Sequence, residues 1–215
     1  MNGRLEFFWY ETKPGEEAGA AWGQLAGAAH RLHFVCEELL ACASETNVEL
    51  VLGRLEYHME NYLVRVYELR ERAVSLAAAM SGPAESAGLL KSKRKRNAAL
   101  QSLQGIGTAF VEALETLLVS LDADIALRNQ HTHNTFLSVG IWTDNDIFDP
   151  ADALLDLCKN PEAHQQLCDF LREEIGRLVD EHVAKGKAAF DATWAFLGAA
   201  GEGPGNQNSP KIKAE

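Results

Sequence analysis

The sequence predicts an all-α protein in which four long antiparallel helices form a bundle, accompanied by one short extra helix. Four segments repeat apolar residues at intervals of three and four positions, the spacing that gives a helix one buried face. Apolar residues make up 47% of the 215-residue chain, which is enough material for a substantial core. Because no single helix can bury its apolar face alone, the four are expected to pack against one another.

The first two long helices are predicted over residues 17–43 and 47–80. Thr46 or Asn47 is suited to cap the second of them. This helix is expected to stop at "SGP", residues 81–83, because glycine and proline disfavour its continuation. The apolar positions are Leu25, Ala29, Leu32, Val35, Cys36, Leu39 and Leu40 in the first helix and Val51, Leu55, Tyr62, Val66, Leu69 and Leu76 in the second.

The other two long helices are predicted over residues 95–128 and 161–198. Gly105 and Gly107 lie inside the first of these, where they permit a bend or the close approach of a neighbouring backbone. Between the two helices, a loop rich in glycine, aspartate and asparagine is expected to lead into the short extra helix, predicted over residues 150–158.

Residues 17–200 are predicted to form one domain. Residues 1–16 form an N-terminal arm whose aromatic patch is either a short strand or a segment packed on the body, and residues 201–215 are expected to be disordered because they have little to bury. No apolar run approaches the ~20 residues that cross a bilayer. The start of the chain also lacks a cationic leader, so we expect a cytoplasmic protein that does not enter a membrane.

The cysteines predict neither a disulfide framework nor a structural zinc site. No two of them form a CxxC pair, and three lie among apolar helical neighbours. Buried free thiols are therefore expected. The four are Cys36, Cys42, Cys158 and Cys168.

The charge of the chain is acidic, with one basic exception. A formal net charge of −11 argues against broad, non-specific binding to nucleic acid. The segment "KSKRKR", residues 91–96, nevertheless carries five positive charges. A cluster of this kind either faces phosphate groups, as in RNA binding, or is a solvated loop. Its cations are Lys91, Lys93, Arg94, Lys95 and Arg96.

The stretch "ALRNQHTHNTF", residues 126–136, gathers an arginine, an amide and two imidazoles at the end of the third long helix. Asn129 and His133 are four residues apart and share a helix face. Arg128 and His133 are five apart, about 140° around a straight helix. They can therefore meet on one ligand only if the helix ends or kinks between them, or if two chains bring their copies together.

The hexapeptide "RNQHTH", residues 128–133, resembles the Arg-polar-x-x-x-His signature of the HEPN superfamily (higher eukaryotes and prokaryotes nucleotide-binding domains). Members are small α-helical bundles, and many are metal-independent ribonucleases. The segment "HMENYLVRVYELRER", residues 58–72, is also similar to family members. The resemblance implies a homodimer in which two motifs line one cleft, an RNA substrate, and no metal or cofactor. It also implies a toxin or defence role, with a nucleotidyltransferase-like antitoxin as a possible partner.

The motif residues suit the cleavage of RNA without a metal. An imidazole with a pKa near ~6.5, here His133, can take the proton of a ribose 2′-hydroxyl. The planar fork of Arg128 can hold two phosphate oxygens, and Asn129 can donate to a phosphate or orient the imidazole. The resemblance implies products with a 2′,3′-cyclic phosphate and a 5′-hydroxyl. Candidate supporting residues are Asp124, four positions before the arginine, and His131, Glu60 and Arg65.

Two other classes of function stay open. In the first, the chain is a non-catalytic nucleotide-binding or interaction module. Arg128 then pairs with Asp124, the histidines stabilise a helix C-terminus, and three tryptophans (Trp9, Trp22 and Trp142) offer a binding surface.

The second alternative is a metal site built from three histidines in a helical bundle. The histidines considered for that site are His30, His33, His58, His131 and His133. His164 and His182 lie amid charged residues and are predicted to be at the surface.

Overall fold

The computed structural model describes residues 17–45, 48–81, 87–133 and 160–201. Within these ranges the chain is all-helical and contains no strand, which confirms the predicted fold class at this level. The N-terminal arm, the short helix predicted over residues 150–158 and the tail from residue 202 lie outside the described residues. The described helices are α1 (Glu17–Ala43), α2 (Val48–Ser81), α3 (Ala87–Leu90), α4 (Arg96–Ser102), α5 (Thr108–His133) and α6 (Pro161–Gly201).

The prediction of one continuous helix over residues 95–128 is wrong. The segment is divided into α4 and α5 by a turn, in which the Ile106 amide donates to the Leu103 carbonyl at 2.9 Å. Gly107, the last residue before α5, has a φ of 145°, a conformation that residues with a Cβ rarely adopt. Gly107 therefore lies in the turn between two helices instead of bending one helix, and α5 runs from Thr108 to His133.

Helices α1 and α2 lie antiparallel. The thiol of Cys42, near the end of α1, donates to the carbonyl of Val51, near the start of α2, at 3.6 Å. At the other end of the pair, Arg72 of α2 donates to the side-chain oxygen of Gln24 of α1 at 2.9 Å. A short connection between the two helices fits this arrangement, because consecutive antiparallel helices need few linking residues.

Helix α6, 41 residues long, lies antiparallel to α1. The indole nitrogen of Trp22 donates to the Leu197 carbonyl at 3.2 Å, and further along α1 the ring of His33 packs on Phe190 with centroids 5.1 Å apart. Helix α6 also contacts α5, which in turn contacts α2. The two remaining helices, α3 and α4, are short and bring the basic segment against α2 and α5.

A single core joins the four long helices. Each fully buried large aliphatic or aromatic side chain contributes about 1.5–3 kcal/mol to folding, and every long helix supplies several of them. The short helices add Leu90, Ala99 and Leu100. Among the described helices, none is long and apolar enough to cross a membrane. The largest fully buried side chains are Tyr62, Phe110, Phe196, Leu25, Leu32, Leu39, Leu55, Leu69, Leu76, Leu90, Leu103 and Leu114.

Candidate functional site

Arg128, the arginine of the sequence motif, lies half-buried near the end of α5 and packs on α2. Its guanidinium carbon is 4.1 Å from the centroid of the Tyr67 ring, a cation–π contact. One of its terminal nitrogens also donates to the side-chain oxygen of Asn129 at 3.5 Å. The ring of Tyr67 therefore supports the arginine on which the predicted chemistry depends.

A second arginine uses the same ring. The guanidinium carbon of Arg70 is 4.7 Å from the Tyr67 centroid, and one of its terminal nitrogens donates to Glu71 at 3.3 Å. The Arg70 side chain is only 12% exposed, and its Nε is buried without a hydrogen-bond partner among the described residues. We call Tyr67, Arg70 and Arg128 the Tyr67 cluster.

The basic segment adjoins the Tyr67 cluster. The ammonium group of Lys91 forms an ion pair with Glu71, the carboxylate that also accepts from Arg70. A continuous set of contacts thus runs from Lys91 through Glu71 and Arg70 to Tyr67 and Arg128. Two features that stand more than 30 residues apart in the sequence form one surface.

Within the basic segment, Arg96 differs from its neighbours because it is turned inward. Its side chain is 5% exposed and donates to both oxygens of Asp122 on α5, at 2.9 and 2.7 Å. It also donates to the Leu90 carbonyl at 3.3 Å. Lys93 approaches the same carboxylate at 3.6 Å. Arg96 therefore anchors the segment to α5 and has little surface left for a ligand.

The combined surface carries more positive charge than its surroundings. Four cations (Arg70, Lys91, Lys93 and Arg96) share two carboxylates, those of Glu71 and Asp122. Two further cations, Arg94 and Lys95, are exposed on the same segment. On a chain with a formal charge of −11, this group of cations favours a phosphate-bearing ligand electrostatically. We call the basic segment together with the Tyr67 cluster the basic surface.

The predicted supporting residues lie in different places. Asp124 is 2% exposed and points into the core, where it accepts a hydrogen bond of 2.7 Å from the Tyr62 hydroxyl and lies 3.7 Å from the Lys185 ammonium group. Glu60 is exposed on α2. Arg65 donates to Glu68 at 2.9 Å.

That Glu68 carboxylate also accepts from Arg31 of α1, at 2.7 Å. Arg65 is therefore part of an ion-pair group between α2 and α1. Arg70, which holds the Tyr67 ring, is instead the α2 arginine that adjoins the motif arginine.

The two motif histidines, His131 and His133, are the last part of α5. The structure describes their backbone as part of that helix but does not describe their side chains. The convergence of Arg128 and His133 thus stays a prediction.

A buried polar centre lies beside the basic surface. The prediction that His182 is at the surface is wrong: it is 4% exposed and packs edge-on against Tyr62, with centroids 5.5 Å apart. The reason is helical spacing, since Ile175, Val179, His182 and Gly186 fall on one inward face of α6. The pKa of the Tyr62 phenol is raised, mainly by burial and next by the charge of Asp124, so this hydroxyl is a hydrogen-bond donor throughout the neutral range.

Several of the other histidines and tryptophans in the described part of the chain pack against aromatic rings. His30 lies against Phe190 and Trp194, with centroid distances of 5.9 and 5.6 Å. Trp22 is partly buried and hydrogen-bonded to α6, whereas Trp9 and Trp142 lie outside the described residues. Among the side chains that the structure describes, no three His, Cys, Asp or Glu residues are grouped so as to hold a metal ion.

Two of the described thiols agree with the prediction that the cysteines are buried and free, and the third is free but not buried. Cys36 and Cys42 are buried and free, Cys168 is free and partly exposed, and Cys158 lies outside the described residues. Burial, with a smaller contribution from the charge of Glu37, raises the pKa of Cys36 to about 11. This thiol is therefore a packing residue and not a nucleophile at neutral pH.

Comparisons of the chain with protein-family models, with curated proteins and with solved structures found no match. The function must therefore be argued from the residues themselves. Sequence reasoning missed Tyr67 and Arg70, although their spacing carried a signal. An aromatic residue and an arginine three positions apart share a helix face, as they do in "YELR", residues 67–70.

Proposed function

We propose that the chain is a HEPN-like four-helix bundle that acts as a metal-independent endoribonuclease of the toxin or defence type. The observation that carries the proposal is the set of contacts that links Arg128 to the basic segment. The motif arginine packs on Tyr67, Arg70 packs on the same ring, and Glu71 joins Arg70 to Lys91. A basic surface on an acidic chain favours a polyanionic ligand.

In the proposed reaction, His133 takes the proton of a ribose 2′-hydroxyl, and the 2′-oxygen forms a bond to the adjacent phosphorus. The bond from phosphorus to the 5′-oxygen breaks, and that oxygen leaves with a proton. The products are a 2′,3′-cyclic phosphate and a 5′-hydroxyl. Arg128 stabilises the negative charge that develops on the phosphate oxygens, and Asn129 orients the imidazole or donates to the phosphate.

We further propose that the active form is a homodimer in the cytoplasm. On one straight helix, positions five apart diverge by about 140°. A second chain supplies the simplest way to put an arginine and a histidine on the same phosphate. A nucleotidyltransferase-like antitoxin remains a proposed partner on the strength of the family resemblance alone.

The main competing function is a non-catalytic nucleotide-binding or interaction module. It is favoured by the ion pairs within the basic surface, because Arg96 and Lys93 already neutralise Asp122 and Lys91 already faces Glu71. Such a module would bind a nucleotide or an RNA without cutting it.

The proposal is tested by incubating purified protein with end-labelled RNA in excess EDTA. We expect cleavage that persists without metal and falls by at least about 100-fold in Arg128→Ala and in His133→Ala, since proton transfer and phosphate binding are both lost. Arg177→Ala is the matched control, because this exposed arginine on α6 forms an ion pair within its own helix, with Glu174.

Cleavage products are identified by their termini, a cyclic phosphate and a 5′-hydroxyl. Equal cleavage by the wild type and both motif variants would point to a contaminating nuclease. RNA that binds but stays intact would favour the non-catalytic module.

A further inference from the structure

We propose that Arg70 is a second phosphate-binding residue, and that Tyr67, Arg70 and Arg128 together hold the backbone of a single-stranded RNA. The inference rests on the proposed function, since it names a substrate-binding residue on the same surface. Arg70 belongs to α2 and lies outside the six-residue motif.

The first argument is the placement of two guanidinium groups on one ring. Their carbons lie 4.7 and 4.1 Å from the Tyr67 centroid. Packing on the ring restricts both side chains and so presents their donor forks in fixed directions. Two positive charges on one ring also raise the local positive potential, which favours the binding of a phosphate beside them.

The second argument is the unused donor on Arg70. Its Nε is buried and has no hydrogen-bond partner in the part of the chain that the structure describes. A terminal nitrogen donates to Glu71 at 3.3 Å, a carboxylate that also faces Lys91. One carboxylate therefore serves two cations, so Glu71 balances the positive charge of Arg70 only in part, and that charge favours a ligand phosphate.

The third argument concerns which anion fits. Lys91 is linked to the Tyr67 cluster through Glu71. Arg94 and Lys95 follow Lys91 in the basic segment, and both are exposed. An isolated phosphate needs only one or two of these groups. A single strand needs such a succession, and its unpaired bases can also stack on aromatic rings and guanidinium planes.

The experiment measures binding separately from cleavage. A fluorescently labelled oligonucleotide with 2′-O-methyl groups throughout keeps the phosphates but has no 2′-hydroxyl to attack, so it cannot be cut by the proposed reaction. Its anisotropy is titrated with wild-type protein, Arg70→Ala and Arg70→Lys at several salt concentrations. The control is Arg72→Ala, on the same helix, whose side chain instead donates to Gln24 of α1.

We expect Arg70→Ala to weaken binding at least about tenfold and to lower the salt slope by about one, as expected for the loss of one phosphate contact. Arg70→Lys, which keeps the charge and guards against an unfolded alanine variant, should lie between alanine and wild type. Arg72→Ala should bind as the wild type does. Unchanged binding in both Arg70 variants, equal loss in the Arg72 control, or no binding by the wild type would overturn the inference.

The two proposals fail in different ways. If the wild type binds the oligonucleotide through Arg70 yet leaves unmodified RNA intact in EDTA, the ribonuclease proposal fails and the binding site stands. If unmodified RNA is cut equally well by the wild type and both Arg70 variants, the ribonuclease stands and the Arg70 site fails. When both hold, Arg70→Lys should raise KM while kcat stays close to that of the wild type, because its contact is one of binding.

Discussion

Two of the contacts between helices α2 and α5 each use a tyrosine of α2, but in different ways. At the inner contact, the Tyr62 hydroxyl donates to Asp124 at 2.7 Å inside the core. At the outer contact, one helical turn further along each helix, the Tyr67 ring lies 4.1 Å from the Arg128 guanidinium carbon at the surface. Tyrosine thus serves as a hydrogen-bond donor in one place and as an aromatic platform in the other.

The difference shows how burial decides what a charged residue does. A carboxylate that is 2% exposed must have its partners supplied by the protein, and Asp124 has Tyr62 and Lys185. Arg128 is instead half-buried and packs on an aromatic ring, a contact that leaves its positive charge in place. We therefore expect the inner contact to act mainly on the stability of the fold and the outer contact to act mainly on the proposed RNA binding.

The same contrast recurs in the basic segment and gives the largest expected effect. Arg96→Ala removes a 5%-exposed cation and leaves Asp122 without its two short hydrogen bonds, so we expect a loss of about 3–5 kcal/mol in the free energy of unfolding. The exposed neighbour provides the control: Arg94→Ala should change stability by less than about 0.5 kcal/mol. Urea denaturation followed by circular dichroism measures both. A comparable, small effect in the two variants would contradict the inward role of Arg96.

A sharper form of the comparison removes the same hydroxyl from each tyrosine. Tyr62→Phe deprives a buried carboxylate of its short hydrogen bond, and we expect a loss of about 1.5–3 kcal/mol. Tyr67→Phe keeps the ring that supports Arg70 and Arg128, so its stability and its affinity for RNA should both stay near those of the wild type. Equal destabilisation by the two variants would remove the distinction between the inner and outer contacts. Thermal unfolding with matched buffers is sufficient to tell them apart.

A structural feature could be predicted from the sequence where its pattern lies within one segment of the chain. The apolar periodicity located α1, α2 and α6 closely, because a helix carries its pattern within itself. The division between α4 and α5 was missed, because a glycine inside a helical pattern permits either a bend or a stop, and only the positive φ of Gly107 decides it.

For the candidate site, the motif and the basic segment were visible separately, but their meeting was not. That meeting depends on Tyr67 and Arg70, whose role exists only once α2 lies beside α5. The burial of Arg96 and of His182 could not be predicted for the same reason. A charged or polar residue in the sequence does not reveal which partner it will meet on another helix. Tertiary contacts, not composition, assign these roles.

The smallest predicted effect tests how tightly the inner contact is packed. A Cβ on Gly186 would lie 2.4 Å from the Cys36 sulfur and 3.2 Å from a ring carbon of Tyr62, so the glycine leaves space for the thiol and for the tyrosine ring. We expect Gly186→Ala to cost about 1–2 kcal/mol, because the overpacking outweighs the gain in helix propensity. Gly176→Ala, on the same helix with nothing within 4 Å, should instead stabilise by up to about 1 kcal/mol.

A double-mutant cycle shows whether the sulfur is responsible. Removing it in Cys36→Ala makes room for the new methyl group, so the double variant with Gly186→Ala should be more stable than the sum of the single changes predicts. Additive effects would mean that the Tyr62 ring, and not the thiol, resists the substitution. If Gly186→Ala alone stabilised the protein as much as Gly176→Ala does, the inner contact would have room for an added methyl group. In that case the packing around Gly186 would not fix the position of the Tyr62 hydroxyl. The contrast between Tyr62 and Tyr67 would then depend on the hydrogen bond from Tyr62 to Asp124 alone.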